Sequence, residues 1–206
     1  FTRSEWISFF LSRKECKIIF ECHQTSKTRN FIINRLKVKE NVQFIFLNDT
    51  LEKFYSVKEK QSNVFHNGVD AELFQNINSK IKKQIIFIGN LSRFNKTRDL
   101  DFLIECYKKS DILKEYKLKI VGGPKKTADQ LSEKVKKNNL SKFITIQGRL
   151  DRQSAINEIQ KSEIGILINS SNNMHSYEYT SPLKYFEYIY GELAIVAVNF
   201  PSHKSL

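Results

Sequence analysis

Gln84-Ile85-Ile86-Phe87-Ile88-Gly89-Asn90-Leu91 is the stretch from which the fold can be read. Four apolar residues in succession, without alternation and closed by a glycine, describe a strand covered on both faces, as in a parallel sheet sheathed by helices. The pattern recurs at Lys17–Cys22, Val42–Leu47, Leu118–Gly122, Phe143–Ile146, Ile164–Ile168 and Ala194–Val198. Between these runs, residues 50–59, 99–110, 126–139, 153–161 and 182–190 hold apolar side chains at spacings of three and four, the period of an amphipathic helix. Strand and helix in alternation predict an α/β chain with doubly wound parallel sheets, whose ligands sit at the carboxyl ends of strands.

The alternation breaks at Asn67-Gly68-Val69-Asp70, a turn signal followed by a polar stretch from Gln75 to Lys83. A domain boundary is expected there, dividing residues 1–65 from 66–206. Two strands lie upstream of it and five downstream, so the second part holds the nearly complete sheet.

Composition sets outer limits. Two hundred and six residues, 40% hydrophobic and 27% charged, are ordinary for a globular chain with a sizeable core. No run of eighteen apolar residues predicts a membrane helix. Cys16, Cys22 and Cys106 show neither CxxC nor Cys/His spacing, which points to a reducing, cytoplasmic setting without disulfides. The opening Phe1-Thr2-Arg3-Ser4-Glu5-Trp6 lacks both an initiator Met and a secretory pattern. A chain that begins inside a longer protein is expected, with much of an N-terminal domain and the C-terminal end beyond it. The net charge of +12 calls for anionic company: a phosphorylated substrate, a lipid surface or nucleic acid. Most of the 16 Phe fall in apolar runs, which speaks for core and against a nucleic-acid surface.

Several segments carry candidate chemistry. In Thr180-Ser181-Pro182-Leu183-Lys184-Tyr185-Phe186-Glu187-Tyr188, Ser181 can cap a helix and Pro182 suits its first position, leaving the amides of Leu183 and Lys184 free for phosphate oxygens. Glu187 stands one and a half turns on, where a carboxylate can accept from a sugar diol; the competing reading is an ordinary capped helix. Gly89 and Asn90 end a strand and open a loop bearing Arg93, Lys96 and Arg98, suited to a diphosphate or simply solvated. Gly148-Arg149 opens another loop, a plain turn or a reader of a base through backbone groups. His23 closes the first strand, as a structural or a crevice residue. Neither GxxxxGK[ST] nor GxGxxG occurs, so P-loop and dinucleotide chemistry are unsupported. Asp99-Leu100-Asp101 has the spacing of a metal motif but begins a helix, and no metal site is expected.

Taken in order, His at a strand end, NGVD, G-x-L with a lysine, the Gly-Gly strand end, G-x-L again and SPLKxFE resemble glycosyltransferase family 4, the retaining nucleotide-sugar enzymes of GT-B fold. The resemblance spans about Ile18 to Pro201 and is most specific at Val64–Phe74, Ile86–Leu91 and Ser181–Tyr188. It implies a partial N-terminal Rossmann-like domain on the acceptor side and a C-terminal Rossmann-like domain binding a UDP- or GDP-sugar, with no further cofactor. It implies metal-independent hexosyl transfer to a glycan or lipid-linked hydroxyl, in cell-surface polysaccharide synthesis, with peripheral contact at an anionic inner membrane face and no nucleic-acid partner. By the same resemblance Lys96 contacts the diphosphate, Glu187 the ribose, Ser181 to Lys184 the phosphate, and His23 the transferred sugar. Two positions depart: Asn90 replaces an arginine that partners the lysine, and Tyr179 stands where a first motif glutamate belongs, with Glu178 one residue off. A GT-B-like epimerase or phosphorylase, and a non-catalytic nucleotide-sugar or nucleic-acid-binding module, are the alternatives.

Overall fold

The computed structural model describes residues 1–74, 79–93, 96–204 and 206; the side chains of Arg93 and Lys96 lie outside this description. The chain divides into two compact units, one formed by residues 1–67, 171–182 and 199–206, the other by 68–170 and 183–198. The division after Asn67 falls in the NGVD turn, but residues 171–182 and 199–206 return to the first unit, which a cut at one point in the chain does not capture.

The first unit holds helix α1 (Glu5–Leu11), strand β1 (Ile18–Cys22), helix α2 (Lys27–Leu36), β2 (Val42–Phe46), α3 (Asp49–Tyr55) and β3 (Ser62–Val64). The three strands pair in parallel in the order β1-β2-β3, with Ile18 opposite Val42 and Phe44 opposite Ser62. Strand β3, a third where the sequence shows two, hides in a polar run because only three residues pair. The helices start where the side-chain chemistry allows: Ser4, Ser26 and Asn48 each accept an amide hydrogen of the first turn. In β1 and β2 alternate residues are buried, so this small sheet buries one face rather than the two expected from its apolar runs. Its core is Phe20, Phe44 and Phe46 packed on Ile32, Ile33, Leu36 and Tyr55.

The second unit opens with β4 (Gln84–Ile88), buried at every position. A short hairpin of β5 (Ser92–Arg93) and β6 (Lys96–Thr97) follows, then α4 (Leu100–Lys109), β7 (Lys117–Val121), α5 (Lys125–Lys137), β8 (Ile144–Gln147), α6 (Arg152–Lys161), β9 (Ile164–Leu167), α7 (Leu183–Tyr190) and β10 (Ala194–Ala197). Helix α8 (Pro201–Lys204) then rejoins the first unit. The five long strands run parallel in the order β10-β9-β4-β7-β8. Strand β4 therefore sits where the winding reverses, with β7 on one side and β9 on the other, the place at which open α/β sheets leave a crevice. Because successive side chains alternate, Ile85 and Phe87 enter the core under α4 and α5, while Ile86 and Ile88 enter the one under α6 and α7. The outer strand β10 is mostly exposed, unlike its apolar sequence, since it forms the edge.

No helix among the described residues is long and apolar enough to cross a membrane. Cys16, Cys22 and Cys106 are unpaired thiols.

Candidate functional site

A cavity of about 370 Å³ lies at the carboxyl ends of β4 and β7, within the range of small-ligand sites. Gly89, Asn90 and Gly122 form its floor, the α6 residues Ala155, Ile156 and Ile159 an apolar wall, and Leu183, Lys184 and Glu187 of α7 the opposite side. The two glycines are required by close approach. A Cβ on Gly122 would overlap the Gly89 carbonyl, and one on Gly89 would occupy the space held by the Lys184 ammonium and its last carbons. Lys184 thus lies over the backbone at the end of β4, where only glycine admits it.

The Glu187 side chain is only 13% exposed, and Arg152 Nη1 donates to its Oε1 at 3.4 Å. Burial raises its pKa above the ordinary 4.5, against the opposing pull of Lys184 and Arg152. Arg149, from the loop between β8 and α6, donates to Asn90 Oδ1 at 3.0 Å.

The crevice is held open by Tyr188, which is wholly buried. Strands β4 and β9 pair only at Ile85 with Ile164 and Ile86 with Gly165. Beyond that point the Tyr188 hydroxyl accepts from the Ile88 N–H at 3.4 Å and donates to the Ile166 carbonyl at 3.3 Å. Those are the two groups that the next ladder bond would join in this register. The hydroxyl replaces the bond and the strands part, while the ring lies on Gly165, which has no side chain to obstruct it.

Of the residues chosen from sequence, Gly89, Asn90, Arg149, Leu183, Lys184 and Glu187 meet around this cavity. Gly148 lines a neighbouring hollow with Lys125 and Asp129. Arg93 and Lys96 face each other as backbone in the hairpin, and what their side chains do lies outside the described residues. Helix α7 begins at Leu183, one residue later than expected. Ser181 and Pro182 belong to the first unit, where the buried Ser181 hydroxyl accepts from the Asn67 N–H at 3.2 Å and its carbonyl accepts from Asn67 Nδ2. Asn67 and Ser181 thus tie two recognisable motifs together. His23, also in the first unit, has Nε2 2.7 Å from Glu21 Oε1, and Arg3 holds the same carboxylate at 2.8 Å. Burial pushes the Glu21 pKa up, but the bonds from Arg3 and His23 outweigh it and hold the group below its usual value. Tyr179 packs edge-on against Phe54 and joins the core of the first unit, so an apolar contact explains its presence where the motif has a glutamate. Arg152 and Tyr188 escaped the sequence reading. A tyrosine on an apolar helix face signals a need for a polar partner without saying which.

No group of three or more His, Cys, Asp or Glu placed to hold a metal occurs among the described residues. The sequence matches no family model and no curated protein. Solved structures are similar to it in fold. HepE of Anabaena, solved in complex with UDP, superposes with a TM-score of 0.70 at 13% identity over 96% of this chain and 57% of its own. The sucrose-phosphate synthase of Thermosynechococcus elongatus gives 0.69 at 13% identity over 95% and 54%, respectively. An E. coli trehalose-6-phosphate structure bound with UDP-2-fluoro glucose gives 0.65 at 10% over 91% and 54%. The fold is that of the GT-B glycosyltransferases. The chain spans little more than half the length of these structures, and identities this low speak to fold alone.

Proposed function

We propose that this chain carries the donor-binding part of a retaining glycosyltransferase of the family 4 type, taking a UDP- or GDP-sugar and passing the sugar to an acceptor hydroxyl. The observation that carries the reading is the cavity at the winding reversal, where side-chain-free Gly89 and Gly122, the Lys184 ammonium and the buried Glu187 carboxylate converge. Gly89 lets the Lys184 ammonium settle at the end of β4, the ammonium offsets the phosphate charge, and the carboxylate accepts from the ribose diol. The apolar wall of Ala155, Ile156 and Ile159 suits a nucleobase. The solved structures holding UDP or UDP-2-fluoro glucose make uridine the first base to try.

In the reaction, the bond from the anomeric carbon to the diphosphate oxygen breaks and the acceptor oxygen bonds to the same face of that carbon. The acceptor proton passes to the departing diphosphate. The protein's part is to stabilise the charge growing on that leaving group, through Lys184, Lys96 and the first amides of α7, without a divalent ion. His23, oriented by Glu21, is the first unit's candidate for contact with the sugar. The excess of cations suits work beside an anionic inner membrane face on a lipid-linked or glycan acceptor.

Calorimetric titration with UDP, GDP and ADP in the presence of EDTA tests the donor assignment. Binding of one of them, weakened by about tenfold or more in both Lys184→Ala and Glu187→Ala, is expected. No binding, or binding indifferent to both substitutions, would overturn it.

A further inference from the structure

We infer that the Arg149 side chain reads the diphosphate of the donor, and that Asn90 is the residue that keeps its guanidinium in place for that purpose. The inference rests on the nucleotide-sugar reading and adds a contact that the sequence assigns elsewhere, to a loop facing the base.

Arg149 leaves β8 in a short loop, but its side chain does not follow that loop. Its Cβ and Nε pass 3.8 Å from the point where a Gly123 side chain would begin, so it runs over the end of β7 at ordinary contact distance. From there Nη2 reaches Asn90 Oδ1 at 3.0 Å, beyond the end of β4. The guanidinium therefore bridges the carboxyl ends of two adjacent strands, beside the glycine floor of the cavity.

Its charge has no answer there. Among the described residues that line the cavity the carboxylate is that of Glu187, and it is paired with Arg152. Among the described residues Arg149 has no carboxylate within ion-pair distance; its partner is a neutral amide that takes one of five N–H donors. Asn at position 90 suits this arrangement. Aspartate there would neutralise the guanidinium and compete with an incoming anion, whereas an amide orients it through one weaker bond and leaves its paired donors for a phosphate.

Titration of UDP against uridine separates this role from the alternatives. In Arg149→Met the affinity for UDP is expected to fall by about ten- to a hundredfold, while that for uridine stays near its unaltered value. Asn90→Asp, which leaves the arginine in place, is expected to lower UDP affinity in the same selective way. Both sites are exposed, and the unfolding midpoint of each variant checks that the fold survives. Equal loss of UDP and uridine in Arg149→Met would place the side chain on the nucleoside, and no loss of either would remove it from the site; both results overturn this inference alone. Failure of the unaltered chain to bind either ligand overturns the nucleotide reading and this inference with it.

Discussion

At the scale of single residues, Glu187 and the glycines show how much chemistry depends on removing something from water. Burial makes the Glu187 charge costly, which is why its pKa is raised despite two nearby cations. A raised carboxylate pKa means that the folded state holds the proton more tightly than the unfolded chain does. The associated stability is present below the unfolded pKa and is lost as pH rises through the folded one. The unfolding free energy of the unaltered chain relative to Glu187→Gln should therefore decline as pH climbs above 4.5, as measured by urea denaturation at several pH values. Binding runs the other way. The carboxylate accepts from the ribose diol only when ionised, so uridine affinity should rise over the same interval, and Glu187→Gln should flatten that profile; uridine is chosen because it has no phosphate to titrate. A parallel pH profile in the glutamine variant would remove Glu187 from the diol. Glu187 is legible in sequence because its place on the helix follows from SPLK three residues before it. Arg152 is not, because its value comes from a neighbour 35 positions away.

At the scale of elements, the sheet was readable and its opening was not. Strand β4 announces itself because Ile85 to Ile88 are apolar without interruption, and all four are buried. The parting of β4 from β9 depends instead on one hydroxyl that stands in for a ladder bond, and nothing in the period of α7 distinguishes Tyr188 from a packing residue. In Tyr188→Phe the Ile88 N–H and the Ile166 carbonyl lose their shared partner inside the core. If the strands stay apart, two buried groups are left unsatisfied, at about 1–3 kcal/mol for each group so exposed. If they close, the ladder is restored and the crevice beside Gly89 narrows. Closure is the expected branch and lowers UDP affinity with little change in the unfolding midpoint, whereas strands that stay apart leave the affinity and lower the midpoint by about 2–4 °C for each kcal/mol lost. Unchanged UDP affinity in this variant would show that the opening does not need the hydroxyl. Lys80 braces α6 and α7 from the far end, its ammonium donating to the carbonyls of Gln160 in the last turn of α6, of Ser162 just past it, and of Gly191 after α7.

At the scale of the whole molecule, the sequence locates the turn at Asn67–Gly68 but not the later returns of the chain. Residues 171–182 and 199–206 join the first unit through contacts such as Tyr179 with Phe54 and Tyr177 with Phe200, and no local pattern encodes which distant surface an aromatic side chain will meet. The consequence is that the SPLK motif is cut by the division: Ser181 and Pro182 go with the first unit, and Leu183 onward with the second. Each unit has its own core, one around Phe20, Phe44 and Phe46, the others on the two faces of the five-stranded sheet. A nucleotide held by Gly89, Gly122, Lys184 and Glu187 touches only the second. Ligand bound at a hundredfold excess over its dissociation constant stabilises the state that binds it by about 2.7 kcal/mol, and amide exchange reports where that stabilisation falls. Adding UDP should slow exchange in peptides covering 84–91, 118–123, 147–156 and 183–190, with little change in those covering 18–22, 42–46 and 62–64. Protection concentrated in the first unit instead would mean that the nucleotide is read by the small three-stranded sheet, and the donor site would have to be sought beside His23 and Glu21.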